Sequence, residues 1–161
     1  MSPETLEGGT AQTKHKTADQ STTSATLSDV DDLWFDVEAN MEYSFDFVVP
    51  CKSSNAIRGI ALAVSCPTLV APAYIAYRVE IPQSADGTGS VSVGAGTASD
   101  DAHLSSGVVA ANTVYVARVF GVLKNGSTSG QLRLRFATEI TGADSATIME
   151  GAFGTLYPQP V

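Results

Sequence analysis

Asp29, Asp31 and Asp32 are the one constellation in the sequence that warrants a metal hypothesis. Carboxylates this close could serve a hard cation such as Ca2+, which takes roughly six to eight oxygen ligands. The EF-hand spacing and its mid-loop glycine are missing. The three belong to a longer run of seven carboxylates, Asp29, Asp31, Asp32, Asp36, Glu38, Glu42 and Asp46, with no Lys or Arg among them. Charge runs of this kind usually face water, so a solvated acidic rim is expected, not a metal site. His15 and His103 stand alone, away from any Cys, Asp or Glu at a metal or triad spacing. No Gly-x-Ser-x-Gly elbow, phosphate loop or His-Glu-x-x-His occurs, and Gly94-Ala95-Gly96 lacks the third glycine of a dinucleotide loop. Cys51 and Cys66 are the only cysteines. A disulfide is open to them, but buried free thiols in adjacent strands are expected. Trp34, Tyr74, Tyr77 and Tyr115 could line a sugar-binding surface, although aromatic residues in alternating strands more often serve a core or a subunit interface. Asn125-Gly126-Ser127 matches a glycosylation sequon and reads as a turn, since no secretory signal accompanies it. These residues point to no enzyme and to no cofactor.

The elements that must hold these side chains are strands. Gln131, Arg133 and Arg135 alternate with Leu132, Leu134 and Phe136, which sends charged and apolar residues to opposite sheet faces. Leu33, Phe35 and Val37 alternate in the same way, as do Tyr43, Phe45, Phe47 and Val49. The turn Glu38-Ala39-Asn40 between those two runs predicts a hairpin, and Pro50 is expected to end its second strand. A third strand is predicted over 57–65, with Gly59 as a bulge or close approach, and a fourth over 74–81. Residues 83–107 read as a long surface loop with a short edge strand at 90–93. A long strand over 113–123, the turn signal Asn125-Gly126, the Leu132 strand and a final apolar run through Phe153, Leu156 and Tyr157 complete the chain. About eight strands and no helix predict an all-β antiparallel sandwich or jelly roll over residues 26–161.

Residues 1–25 differ. They are rich in Ser, Thr, Gly and Gln and poor in large apolar side chains, so alone they cannot bury enough surface to offset their ordering entropy. They are expected to form an extended N-terminal arm that orders by strand addition to a neighbour, with Lys14, His15 and Lys16 as its basic patch.

The totals narrow the function classes. The 161 residues suit one domain with some extra chain. Net charge is −8, which argues against nonspecific nucleic-acid binding. Charged residues are 16% of the total against a usual share of about 25%, as befits a surface partly buried between subunits. No apolar run reaches the roughly 18 residues of a membrane span, and no apolar signal core opens the chain. Assembly in a cytoplasm is expected.

Three stretches carry a resemblance: Ser24-Ala25-Thr26-Leu27 with Asp31-Asp32-Leu33-Trp34-Phe35-Asp36-Val37; Tyr43-Ser44-Phe45-Asp46-Phe47; and Asn125-Gly126-Ser127-Thr128-Ser129-Gly130-Gln131-Leu132-Arg133-Leu134-Arg135-Phe136-Ala137. Together they resemble small β-rich virion proteins of tailed bacteriophages, with Phe136 where Trp is common. The resemblance implies a non-enzymatic structural protein, commonly a trimeric jelly roll. It implies a head decoration (cement) protein on the outer capsid surface, bound to the major capsid protein. Tyr115 and Phe120 would anchor the homotrimer interface, and the basic patch of the arm would dock on the shell. A tail or fibre protein, receptor- or carbohydrate-binding, is the alternative.

Overall fold

A computed structural model describes residues 10–83 and 90–159. Residues 1–9 of the expected arm and 84–89 of the expected loop lie outside the described residues. Twelve strands are formed: β1 (Gln12–His15), β2 (Gln20–Thr22), β3 (Ser28–Val37), β4 (Glu42–Ser53), β5 (Ile60–Ser65), β6 (Tyr74–Gln83), β7 (Ser90–Gly96), β8 (His103–Leu104), β9 (Tyr115–Lys124), β10 (Gly130–Thr138), β11 (Ala146–Ile148) and β12 (Phe153–Pro158).

The strands make an all-β sandwich of two antiparallel sheets. The small sheet runs β3-β10-β5-β8. The large sheet runs β1-β12-β4-β9-β6-β7, with β11 beside β4 and β2 beside β11. From β3 to β10, every connection but β6–β7 crosses between the sheets. This strand order is that of a jelly roll. The crossings correct the hairpin read from the sequence at Glu38-Ala39-Asn40. β3 and β4 do not pair: β3 joins β10, while β4 joins β9 and β12. β9 and β10 likewise part at Asn125-Gly126 into different sheets. A tight turn between two alternating runs is consistent with an arch as well as a hairpin, and burial decides between them. In an arch the apolar sides of β3 and β4 face each other, and the Phe35 and Phe47 ring centres lie 5.9 Å apart across the core.

The core is the inward set of both sheets. Leu33, Phe35, Val37, Phe45, Phe47, Val49, Leu132, Leu134 and Phe136 are all buried, at the positions the alternation assigned. Pro50 does not end β4. Its carbonyl accepts from Met149 at 2.9 Å, so the N–H it lacks would point to the same side. On that side β12 pairs as far as Val48 and β11 begins at Cys51. Pro50 sits in the gap, where no ladder bond is lost. The expectation at Gly59 of a close approach is met, since a Cβ there would lie 1.6 Å from the carbonyl oxygen of Ser105.

The N-terminal segment adds to this frame from within the chain. β1 pairs with β12 from Gln12–Leu156 to His15–Phe153, and β2 pairs with β11. The described part of the expected arm is therefore strand addition to its own domain. Its polar residues pair by backbone and need no apolar face.

Candidate functional site

The outer face of the large sheet gathers most of the exposed large apolar residues among those described. Along β9 the even positions point away from the core, as do their register partners on β4 and β6. Among the described residues twelve large hydrophobic residues are exposed. Seven of them, Tyr74, Val91, Val93, Val116, Val122, Phe153 and Tyr157, occupy outward positions of this one sheet. Half-buried Val48 lies between Phe153 and Arg118, and half-buried Phe120 between Asp46 and Arg78. Singly exposed apolar residues are ordinary, but a contiguous set marks an interaction surface.

Charges on this face are neutralised by pairs, two across β4 and β9 and one along β6. Arg118 grips Asp46 through two contacts of 3.1 and 2.7 Å, and its guanidinium carbon lies 4.4 Å from the Phe120 ring centre. The hydrogen bond from Arg118 favours its charged form, which is pushed to stay protonated still further up the pH scale. Arg78 meets Glu80 at 3.1 Å, and Lys124 meets Glu42 at 3.7 Å. A partner covering the face would meet pairs already formed and few isolated charges.

The candidate site residues fall in different places. Lys14, His15 and Lys16 do not form one patch. Lys14 is half-buried with its ammonium 4.5 Å from the Trp34 ring centre. His15 is exposed beside Phe153. Lys16 is only 2% exposed and donates to Gln20 Oε1 at 2.9 Å and to the Asp31 carbonyl at 3.4 Å. Strand alternation in β1 and the turn after it separate the three. Tyr115 and Phe120 are also kept apart. Tyr115 shares the inward parity of Ala117 and Val119, whereas Phe120 shares the outward parity of Arg118 and Val122. Phe120 alone belongs to the apolar face. Of the other members the sequence singled out Tyr74 alone, among aromatic residues that could serve a subunit interface. The signal for the face was the run Val-Tyr-Val-Ala-Arg-Val-Phe-Gly-Val-Leu over 114–123, which is apolar at nearly every position and so at both faces.

The acidic run is dispersed by pairing. Asp29 bonds Arg133 at 2.9 Å and lies 3.0 Å from Arg135 Nε, an ion contact without hydrogen-bond alignment. Asp36 accepts from Gln131 and Asp46 from Arg118. Among the described residues no three His, Cys, Asp or Glu side chains cluster as a metal site. His103 bonds Ser92 at 2.8 Å, and burial depresses its pKa. Both cysteines are free, and their strands, or the strand end in the case of Cys66, lie in opposite sheets, which corrects the expectation of adjacent strands. Burial pushes the Cys51 thiol up to about 12. The Asn125 side chain is buried and its Nδ2, the atom a glycan would need, donates to the carbonyls of Glu38 and Thr128.

No family model matches the sequence, and no curated protein matches it. A solved structure titled as that of the infectious bursal disease virus Gx strain aligns over 94% of this chain and 41% of that one, at 11% identity and a TM-score of 0.23. A likeness at that level carries no argument about fold or function, and the chain spans less than half the length of that neighbour.

Proposed function

We propose that this protein is a non-enzymatic structural protein of a tailed-bacteriophage particle, a capsid decoration protein that binds the major capsid protein as a homotrimer. The observation that carries the proposal is the outer face of the large sheet. It gathers seven of the twelve exposed large hydrophobic residues and pairs its own charges. Such a face suits a permanent contact more than a free surface. The low overall charge supports the same reading, and so do the sequence stretches that resemble phage virion proteins. A jelly roll is also compatible with other roles, so the fold itself adds little.

The test starts with purified particles split into heads and tails and assayed by quantitative mass spectrometry. A decoration protein is expected in the heads at hundreds of copies. A few copies in the tail fraction would refute the proposal and favour a tail or fibre protein. Purified protein is then mixed with undecorated heads. Val116→Lys with Phe153→Lys should abolish binding while circular dichroism stays that of the native sandwich. Undiminished binding by this variant would exclude the face as the docking surface.

A further inference from the structure

A cleft of about 540 Å3 opens where the segment between β1 and β2 of the large sheet meets β3, the edge strand of the small sheet. It falls within the roughly 300–1,000 Å3 typical of small-molecule sites. Its walls come from the segment joining β1 to β2 and from an irregular stretch of β3. Between the pairs Arg133–Trp34 and Arg135–Asp29, β3 advances five residues while β10 advances two. The surplus bulges, and Asp32 takes a φ of 69° there. A bulge of this kind re-aims side chains out of the sheet.

The chemistry of the lining is mixed by construction. Lys16 lines the cleft although it is 2% exposed, and its two acceptors account for two of its three ammonium protons. Arg133 is held by Asp29. Asp32 accepts from both the backbone N–H and the hydroxyl of Thr17, at 3.1 and 2.9 Å. Asp31 is exposed, its backbone N–H fixed by Gln20 at 2.8 Å. Trp34 supplies the aromatic wall. An anionic ligand would meet the carboxylates of Asp19, Asp29, Asp31 and Asp32. A metal cation would meet the buried ammonium of Lys16. A neutral ligand dense in hydroxyls can donate to the carboxylates, accept from Lys16 and Arg133, and make apolar contact with the part of the Trp34 side chain that lines the cleft.

We propose that this cleft binds a neutral saccharide. The proposal goes beyond the structural role above and does not depend on it, because none of the exposed apolar residues of the large-sheet face lines the cleft. Strand β3 holds the recognition groups, so Trp34 and Asp31 are the specificity residues.

Trp34 is the only tryptophan in the chain, so its fluorescence reports this cleft alone. Full-length protein is titrated with glucose, galactose, N-acetylglucosamine and their β-linked disaccharides, and separately with CaCl2 and sodium phosphate. A saturable change is expected with at least one sugar and with neither salt. Asp31→Asn should weaken that binding by about tenfold or more, as the loss of a charge-assisted hydrogen bond predicts. Asp36→Asn, on the same strand but outside the cleft, should leave it unchanged. Indole N–H shifts of Trp34 in NMR give the same readout if the fluorescence change is small. Saturation by Ca2+ or phosphate alone, no response to any probe, or equal loss in both variants would each overturn the proposal.

Discussion

Asp32 shows how one side chain can join two segments. Its carboxylate takes two hydrogen bonds from Thr17, which lower its pKa, with burial opposing weakly. A lowered carboxyl pKa means that the folded state binds its proton later than the unfolded chain. The stabilisation is therefore fully present above the ordinary Asp value of 3.8 and is lost as pH falls through the folded value. His103 acts in a separate window with the same direction. Burial favours its neutral form, so its contribution is present above the ordinary value of 6.5 and declines as pH falls from there towards the folded value. Urea midpoints measured from pH 8 to pH 2 should fall in both windows. Asp32→Asn should flatten the lower window and His103→Gln the upper one. Cys51 gives a simpler expectation. With its pKa near 12 and its side chain buried, it should resist thiol reagents at pH 8 until the protein is unfolded.

The elements depend most on the contact between β4 and the strands around it. Phe47 packs on Phe35 and Phe45, with ring centres 5.9 and 6.1 Å apart. Its ring also lies over Gly154 of β12, where a Cβ would come within 2.5 Å of it. Phe47→Ala should cost about 3–5 kcal/mol in urea unfolding, from lost burial plus the cavity left behind. Gly154→Ala should cost about 1–3 kcal/mol by overpacking the same spot. The Arg118–Asp46 pair is a weaker matter despite its short distances. Both side chains are a third to a half exposed, so a double-mutant cycle should return no more than about 1 kcal/mol, shrinking with salt. The first strand is an element in the full sense. Removing residues 1–16 deletes β1, uncovers the edge of β12 and takes away Lys14 from Trp34. That truncation should lower the melting temperature and promote association through the bared edge. A melting curve unchanged by the truncation would show that β1 adds nothing.

At the scale of the whole molecule, two surfaces of different character share no apolar residue. The large-sheet face is apolar with its charges paired, and the small-sheet edge is a polar cleft. Single charge insertions on the large-sheet face, such as Val122→Lys, should change stability by no more than about 0.5 kcal/mol. They should nonetheless reduce self-association if that face also joins copies of the chain. Sedimentation velocity over a concentration series checks this. A homotrimer is expected for the native chain, and a monomer at every concentration, on and off the particle, would exclude it.

The alternating runs from Leu33 to Val49 and from Gln131 to Phe136 were enough to place strands and their buried faces. Period-two patterning is a local property, and each residue carries it wherever its strand goes. The all-β class was legible for the same reason, and the close approach at Gly59 from a glycine placed within a strand pattern. Pairing was not. Whether the turns after Val37 and Lys124 make hairpins or arches depends on which sheet supplies the opposing apolar face, and that partner lies far along the chain. The carboxylates between Asp29 and Asp46 read as a solvated rim because the cations that pair with Asp29, Glu42 and Asp46, namely Arg118, Lys124, Arg133 and Arg135, come about 70 to 105 residues later. Lys14, His15 and Lys16 looked like a patch because they are consecutive, and consecutive residues of a strand point to opposite sides. The polar cleft needed the bulge in β3 and the fold-back of the first strands together. Neither is written in the composition of either segment. Local period fixes what a residue can do for its own strand, and only the tertiary fold decides which distant group it meets.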